Sequence, residues 1–251
     1  MNDPLFLALL ELADDSLILG QRLCEWSGHA PSIEVDLGLS NLALDLIGQA
    51  TLFLDYAGEV EGKGRSADRL AFHRDAGEFR NCLLVEQPNG DFGQTIARQF
   101  LFSTYQLALF GKLQGSADAR IAAISAKAIK EVAYHAELAS DWVVRLGDGT
   151  DESRLRMTEG FDWFWRFVDD MFARSEEQAG LQPEGVLFDR TALRAGFDSR
   201  VAELLSIATL PAQPGRVWQI SGGRDGRHTE HLSPLLAVMQ VVPRAHPEAA
   251  W

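Results

Sequence analysis

Residues 3–24 read DPLFLALLELADDSLILGQRLC, and this stretch predicts a long helix with one buried face. Asp3 suits the N-cap, and Pro4 suits the first helical position, where an amide hydrogen would have no partner. Behind them, residues of one helix face recur at steps of three and four: Leu5, Leu9, Leu12, Ser16, Leu19 and Leu23. The helix is predicted to end before Gly28 and Pro31.

The same helical period covers most of the remaining chain. It predicts helices at about residues 32–58, 67–72, 91–114, 117–146, 151–172, 189–209 and 229–242. No segment shows hairpin chemistry, βαβ alternation or a fixed repeat. Four long helices, joined pairwise by short loops and once by a crossover at residues 58–90, are typical of a ferritin-like antiparallel bundle. The predicted fold is therefore all-α, a ferritin-like bundle with additional C-terminal helices in a single domain, residues 1–251.

Composition limits the classes of function. Among 251 residues, 36 are acidic and 23 basic, which gives a formal net charge of −13. This field opposes a phosphate backbone, so nucleic-acid binding is not expected, and an anionic ligand would need a local basic cluster. The N-terminus has no basic leader, and no stretch reaches the roughly 20 apolar residues of a membrane span. Cys24 and Cys82, expected to be buried rather than reactive, fit a reducing compartment, so we expect a cytoplasmic protein.

A ferritin-like fold raises the question of a di-metal site. Such a site needs Glu-x-x-His motifs on two helices, because residues three apart point the same way and can hold one metal pair. None of the six histidines lies three residues after a glutamate. The ordinary di-iron signature is therefore absent from the sequence.

Polar residues nevertheless occupy helix positions where a relative would hold metal. Asp45 and Gln49 form an i, i+4 pair among leucines, and Lys127, Glu131 and His135 follow at i, i+4 and i+8. If these faces look inward, they form a vestigial site in which a lysine supplies positive charge in place of an ion. The alternatives are solvated helix faces with ordinary ion pairs, or a working metal site with irregular ligands.

The segment after residue 220 also carries candidate chemistry. His228 and His231, with Glu230 between them, offer two imidazoles to zinc, but no third ligand lies at a recognisable spacing. The alternative is a structural or interface role, with Thr229 capping the last helix. Residues 221–226 are glycine-rich but lack the lysine of a phosphate loop. Three nearby arginines are candidates to meet a partner's acidic surface or a phosphate: Arg216, Arg224 and Arg227.

Aromatic residues crowd the helix predicted at residues 151–172. They cover more than one side of it: Trp163, Phe164, Trp165, Phe167 and Phe172. Packing in the core of the chain is the first explanation, and a subunit interface is the second.

Long strings along the chain resemble the C-subunit family of bacterial phenylacetyl-CoA oxygenases, also called 1,2-phenylacetyl-CoA epoxidases. They are spread over residues 21–240, and none lies between residues 175 and 224. The strings are QRLCEWSGHAP (21–31), NLALDLIGQA (41–50), LVEQPNG (84–90), ISAKAIKE (124–131), GDGTD (147–151) and RHTEHL (227–232).

The resemblance implies a ferritin-like subunit of a multicomponent monooxygenase that epoxidises phenylacetyl-CoA with O2 in phenylacetate catabolism. In that system the di-iron centre lies in a related A subunit. A reductase chain with FAD and an iron–sulfur centre supplies electrons from NADPH. The C subunit is expected to hold no cofactor of its own and to support the A subunit.

The resemblance also implies that the CoA end of the substrate lies near this chain. The residues predicted to meet it, with Arg80 on a phosphate and Phe79 stacking, are Glu78, Phe79, Arg80 and Asn81, and secondarily Gln178, Ala179 and Gly180. The alternative is that both segments are ordinary loops.

Three hypotheses from different classes of function follow. The first is a metal-free structural partner that holds a sister subunit through its long apolar helices, above all residues 151–172. The second is a di-metal oxidase or hydroxylase with irregular ligands that include Glu131 and His135. The third is a zinc-dependent hydrolase that uses His228 and His231.

Overall fold

A computed structural model describes residues 3–173, 180–213 and 217–249, and these residues contain helices and no strand. The all-α, ferritin-like prediction is confirmed. The helices are α1 (Pro4–Cys24), α2 (Ile33–Glu61), α3 (Ala67–Phe72), α4 (Leu83–Glu86), α5 (Phe92–Leu113), α6 (Ala119–Gly147), α7 (Asp151–Phe164), α8 (Val168–Phe172), α9 (Arg194–Ile207) and α10 (Leu232–Ala245).

Two compact units can be recognised. The first contains described residues up to 88 together with 180–181 and 222–249, and the second contains residues 89–173, 182–213 and 217–221. In the first unit, α1 and α2 form a long antiparallel hairpin, and α3, α4 and α10 belong to the same body. In the second, α5 and α6 form the hairpin, and α7 to α9 pack with it. The single domain expected from sequence stays a prediction.

Side-chain caps explain why these helices begin where the sequence predicts. The Asp3 carboxylate accepts a hydrogen bond from the Leu5 amide at 2.8 Å, and Pro4 follows it. Asp91 and Gln94 exchange hydrogen bonds in a capping box before α5. Such caps satisfy amides that have no partner within the helix, so they set the helix start locally.

The predicted helix at residues 151–172 is interrupted. A 3₁₀ turn at Trp165–Phe167 separates α7 from α8. Five of its six aromatic residues are buried, and Trp163 is 38% exposed. Burial within this chain therefore accounts for most of the aromatic crowding without a subunit interface.

Two further expectations were wrong. Cys82 is buried, but Cys24 is exposed, because α1 ends there and the chain turns towards solvent. Desolvation by nearby protein atoms, and then the Glu25 carboxylate, raise the pKa of the Cys24 thiol, which keeps its reactive thiolate form scarce. The second error concerns apolar length: α2 contains a window of mean hydropathy 1.4 that is long enough to cross a membrane. In this structure 44% of that window is buried, and α2 packs along α1.

The close approach of a loop to α2 at Gly58 yields a prediction. A β-carbon added there would lie 2.2 Å from the Arg65 carbonyl oxygen, whereas one added at Gly48 of the same helix meets nothing within 4 Å. We expect Gly58→Ala to lower the free energy of unfolding by about 1–3 kcal/mol through overpacking. Gly48→Ala, the matched control, should raise it by up to about 1 kcal/mol through helix propensity. Urea denaturation measures both, and equal effects would contradict the packing described.

Candidate functional site

Two adjacent carboxylates lie inside the first unit on α1. Asp14 is fully buried, and the buried Arg74 guanidinium donates to both of its oxygens, with Nη1 at 2.9 Å from Oδ2. The backbone amide of Arg80 donates to Oδ2 at 2.8 Å. Arg74 also lies over the Phe79 ring, with 4.1 Å between its Cζ and the ring centroid. The loop that follows α3 is thus attached to α1 through the Asp14 carboxylate.

Asp15 makes an equivalent connection to the far end of the sequence. Arg224 binds it with two guanidinium nitrogens, at 2.9 and 2.8 Å, and the Cys82 amide donates to it at 2.7 Å. Both charged side chains are nearly inaccessible to solvent. A bidentate pair of this kind offsets the cost of burying either charge.

The loop before α10 closes on a third buried carboxylate, Glu86 at the end of α4. The amide and hydroxyl of Thr229 each donate to Glu86 Oε1 at 2.7 Å, and Asn81 donates to Oε2 at 2.9 Å. His228 Nδ1 lies 2.7 Å from Oε2, and Nε2 lies 3.1 Å from the Phe79 carbonyl oxygen. Because both ring nitrogens of His228 lie within hydrogen-bond distance of oxygen atoms of the chain, neither is directed at an open position where zinc could bind.

This arrangement corrects the interpretation of the segment after residue 220. Thr229 does not cap the last helix, which begins at Leu232 after His231 and has no side-chain cap; the Thr229 hydroxyl donates to Glu86 instead. Arg224 turns inward, while Arg227 is exposed beside Asp225, and Arg216 lies outside the described residues. The glycines serve close packing: Gly226 has φ 76°, and a β-carbon there would lie 2.3 Å from the Gly77 carbonyl oxygen.

A surface cavity of about 350 Å³ lies beside this network in the first unit. Four basic and two acidic side chains line it, and apolar side chains of α1 close one wall. The basic residues are Lys63, Arg65, Arg74 and Arg80, and the acidic ones are Glu61 and Glu78. Since the buried Asp14 already neutralises Arg74, the other three cations face the two carboxylates, Glu61 and Glu78, and leave a surplus of one positive charge at the cavity.

The cations at the cavity are held in place by their neighbours. Arg80 Nη1 donates to the Gly77 and Phe79 carbonyls at 2.8 and 2.7 Å. Arg65 donates twice to Glu61, which lowers the pKa of that carboxyl, and Lys63 Nζ adds a contact at 3.0 Å. The stabilisation from this ion pair is present at neutral pH and is lost as the pH falls through the lowered pKa. The cavity therefore presents positioned donors rather than free side chains.

The structure divides the residues predicted to meet a CoA group. Glu78 and Arg80 line the cavity. Phe79 and Asn81 are fully buried, so no ligand in the cavity can touch them in this arrangement. Gly180 is exposed, and Gln178 and Ala179 lie outside the described residues.

The residues predicted as a vestigial metal site differ in burial. On α2, Gln49 is buried and Asp45 half-buried. On α6, His135 is buried, Glu131 half-buried and Lys127 exposed, because successive steps of four residues drift round a helix of 3.6 residues per turn. Lys127 therefore faces solvent and does not supply an internal charge. Among the described residues, no three His, Cys, Asp or Glu side chains are grouped as a metal site would need.

Sequence reasoning missed the buried charges that organise the first unit, namely Asp14, Asp15, Arg74 and Glu86. A signal was present, since Asp14 and Asp15 interrupt an otherwise apolar helix. Charges on a helix that is buried on most sides must have charged or hydrogen-bonding partners. The sequence does not say which of the 23 basic residues those partners are.

Comparisons with known proteins cover the whole chain. A family model described as "Phenylacetic acid catabolic protein" matches residues 1–251. The C subunit of the 1,2-phenylacetyl-CoA epoxidase of Escherichia coli (strain K12) is 47% identical over 242 residues, which cover 96% of this chain and 97% of that protein.

The buried Asp15–Arg224 pair yields a second prediction. Arg224→Met should lower the free energy of unfolding by about 3–5 kcal/mol, because Asp15 keeps a buried charge without its partner. Arg227→Met, three residues away, removes an exposed pair and should cost no more than about 0.5 kcal/mol. Adding Asp15→Asn to Arg224→Met should recover part of the loss. Equal denaturation midpoints for Arg224→Met and Arg227→Met would contradict the role of the buried pair.

Proposed function

The chain belongs to the phenylacetic acid catabolic protein family, and from this premise we propose that it is the metal-free structural subunit of a multicomponent 1,2-phenylacetyl-CoA epoxidase. In this role it holds a related di-iron A subunit in its active geometry. The observation that carries the proposal is the 47% identity, over nearly the full length of both chains, to a protein named as the C subunit of such an epoxidase.

The donor set of this chain supports a role without metal. A ferritin-like di-metal centre needs carboxylates and histidines that are free to bind cations. Here three buried carboxylates, Asp14 and Asp15 on α1 and Glu86 on α4, are engaged by Arg74, Arg224 and His228 of the same chain. The described residues therefore do not fit a di-metal centre. The positive charge that balances these carboxylates comes from side chains of the same chain.

The proposal places the cofactors in other subunits. The di-iron centre belongs to the A subunit, and NADPH, FAD and the iron–sulfur centre belong to the reductase. O2 activation and epoxidation then occur outside this chain, whose contribution is association and positioning. We place the assembly in the cytoplasm, where a catabolic enzyme meets a CoA thioester.

The basic cavity supports a secondary role in substrate binding. Phenylacetyl-CoA carries several phosphate charges, and a chain of net charge −13 can attract them only at a local surplus of cations. Arg80 and Lys63 provide such a surplus beside Arg65. We place the phosphate-bearing end of the substrate at this cavity, with Arg80 as its main contact.

Metal content and association test the structural role. The chain expressed alone in iron- and manganese-rich medium should contain far less than one metal per chain and show no oxygenation. Co-expressed with a di-iron sister subunit, it should purify as a stable complex that holds the metal. About two metals per isolated chain, as a di-metal carboxylate protein holds, would instead support an oxidase with irregular ligands. One equivalent of zinc would support the hydrolase hypothesis, and failure to associate would contradict the structural role.

Removing the positive charge at the cavity tests the substrate contact. In the assembled epoxidase, Arg80→Met and Lys63→Met should each raise KM for phenylacetyl-CoA by about tenfold or less, since each removes one partly solvated charged contact. The kcat should not change, because the reacting atoms lie in the A subunit. Arg69→Met, an exposed cation outside the cavity, is the matched control. If KM were unchanged in both cavity variants and their thermal stability were normal, the cavity would not be a contact site for the substrate.

A further inference from the structure

The exposed face of α6 carries an ordered set of charges. Its residues, spaced by three or four and all exposed, are Lys127, Lys130, Ala133, Tyr134, Glu137 and Asp141. Tyr134 in the middle of the face is 48% exposed. The four charged side chains form no ion pair with the described part of the chain. The face is thus a regular surface whose charges have no partner within the described residues.

The order of these charges is self-complementary. Both lysines lie in the N-terminal half of the face and both carboxylates in the C-terminal half. When two copies of α6 run antiparallel about a two-fold axis at Ala133 and Tyr134, Lys127 lies opposite Asp141 of the second copy. Lys130 then lies opposite Glu137 of the second copy, and the symmetry repeats both pairs. We propose that this face of α6 is a homodimer interface.

A groove beside the face provides room for the second copy. It has a volume of about 620 Å³ and lies between α5, α6 and α9. Leu107, Ala108 and Phe197 form an apolar floor, and Glu137 and Asp141 stand along one side. Lysine side chains of the second copy fit such a surface, because their apolar stems cover the floor while the ammonium groups reach the carboxylates.

Charge selects an antiparallel second copy over other arrangements. A parallel, in-register copy would place lysine against lysine and carboxylate against carboxylate, which is unfavourable. Arg200, the cation within the groove, is paired with Glu203 at 2.8 Å, so it leaves the two α6 carboxylates available. From Lys127 to Asp141 the interface spans about 21 Å of helix. The inference goes beyond the proposed function and does not depend on it.

Charge reversal in the full-length chain tests the interface. One variant is Lys127→Glu with Lys130→Glu, and its complement is Glu137→Lys with Asp141→Lys. Each creates like charges across the two-fold axis and should raise the dimer Kd by about tenfold or more. Arg69→Glu with Arg154→Glu changes the net charge as the first variant does, at exposed positions on α3 and α7, and should leave the dimer intact. Sedimentation equilibrium at low ionic strength measures all of them.

Mixing the two reversed variants gives the decisive result. Each should be monomeric alone, and an equimolar mixture should form a mixed dimer, because opposite charges then face each other at every pair. Added salt should weaken the wild-type dimer. A wild-type chain that stays monomeric at about 100 μM, well above typical dissociation constants of stable dimers, would overturn the proposal. The proposal would also be overturned if the mixture of the two variants did not associate. The same holds if the reversed variants remained dimeric and lost only their binding to the sister subunit.

Discussion

Burial of two ionised carboxylates next to each other on α1 is the constraint from which the first unit is built. Asp14 and Asp15 lie in a helix that is buried along most of its length, where an ionised carboxylate without a partner would be very unfavourable. Arg74, 60 residues later, and Arg224, 209 residues later, satisfy them. The crossover after α2 and the loop before α10 must therefore reach α1 for two reasons. They carry the arginines that pair with its two carboxylates, and they pack against it. If either arginine were lost, the burial of α1 would leave a carboxylate without its cationic partner, which strongly destabilises the folded state.

The same matching of charge separates this chain from a metal-binding bundle. In a di-metal carboxylate bundle, cations from solution neutralise inward-facing carboxylates. Here the guanidinium groups of Arg74 and Arg224 neutralise Asp14 and Asp15, and these cations are covalently part of the chain. A bundle neutralised in this way keeps its charges matched whether or not metal is supplied. That property suits a subunit whose role is to hold another subunit in place.

The helices were predictable from sequence because their signals are local. Caps such as Asp3 and Asp91 act on amides two or three residues away, and an apolar period needs only its own helix. The site was only partly predictable, because the partner of a buried charge can lie far away in the sequence. Arg80, predicted to meet a phosphate, lines a basic cavity, whereas its neighbour Phe79 packs under Arg74. In this loop Phe79 and Asn81 are buried and Arg80 between them is not, and short sequence strings do not show which side chain turns inward.

In a chain of net charge −13, two surface clusters of positive charge stand out as candidate binding surfaces. They differ in how firmly their side chains are held. At the cavity, backbone carbonyls and Glu61 hold Arg80, Arg65 and Lys63, so the donors are already ordered before anything binds. Ordered donors reduce the entropy lost when an anionic group such as a phosphate binds. On α6, Lys127 and Lys130 have no such restraint and lie on a long regular helix face. Mobile lysines gain most from a surface that orders several of them at once and offers carboxylates at matching spacing. A second α6 offers that spacing because it carries the same sequence in the opposite direction.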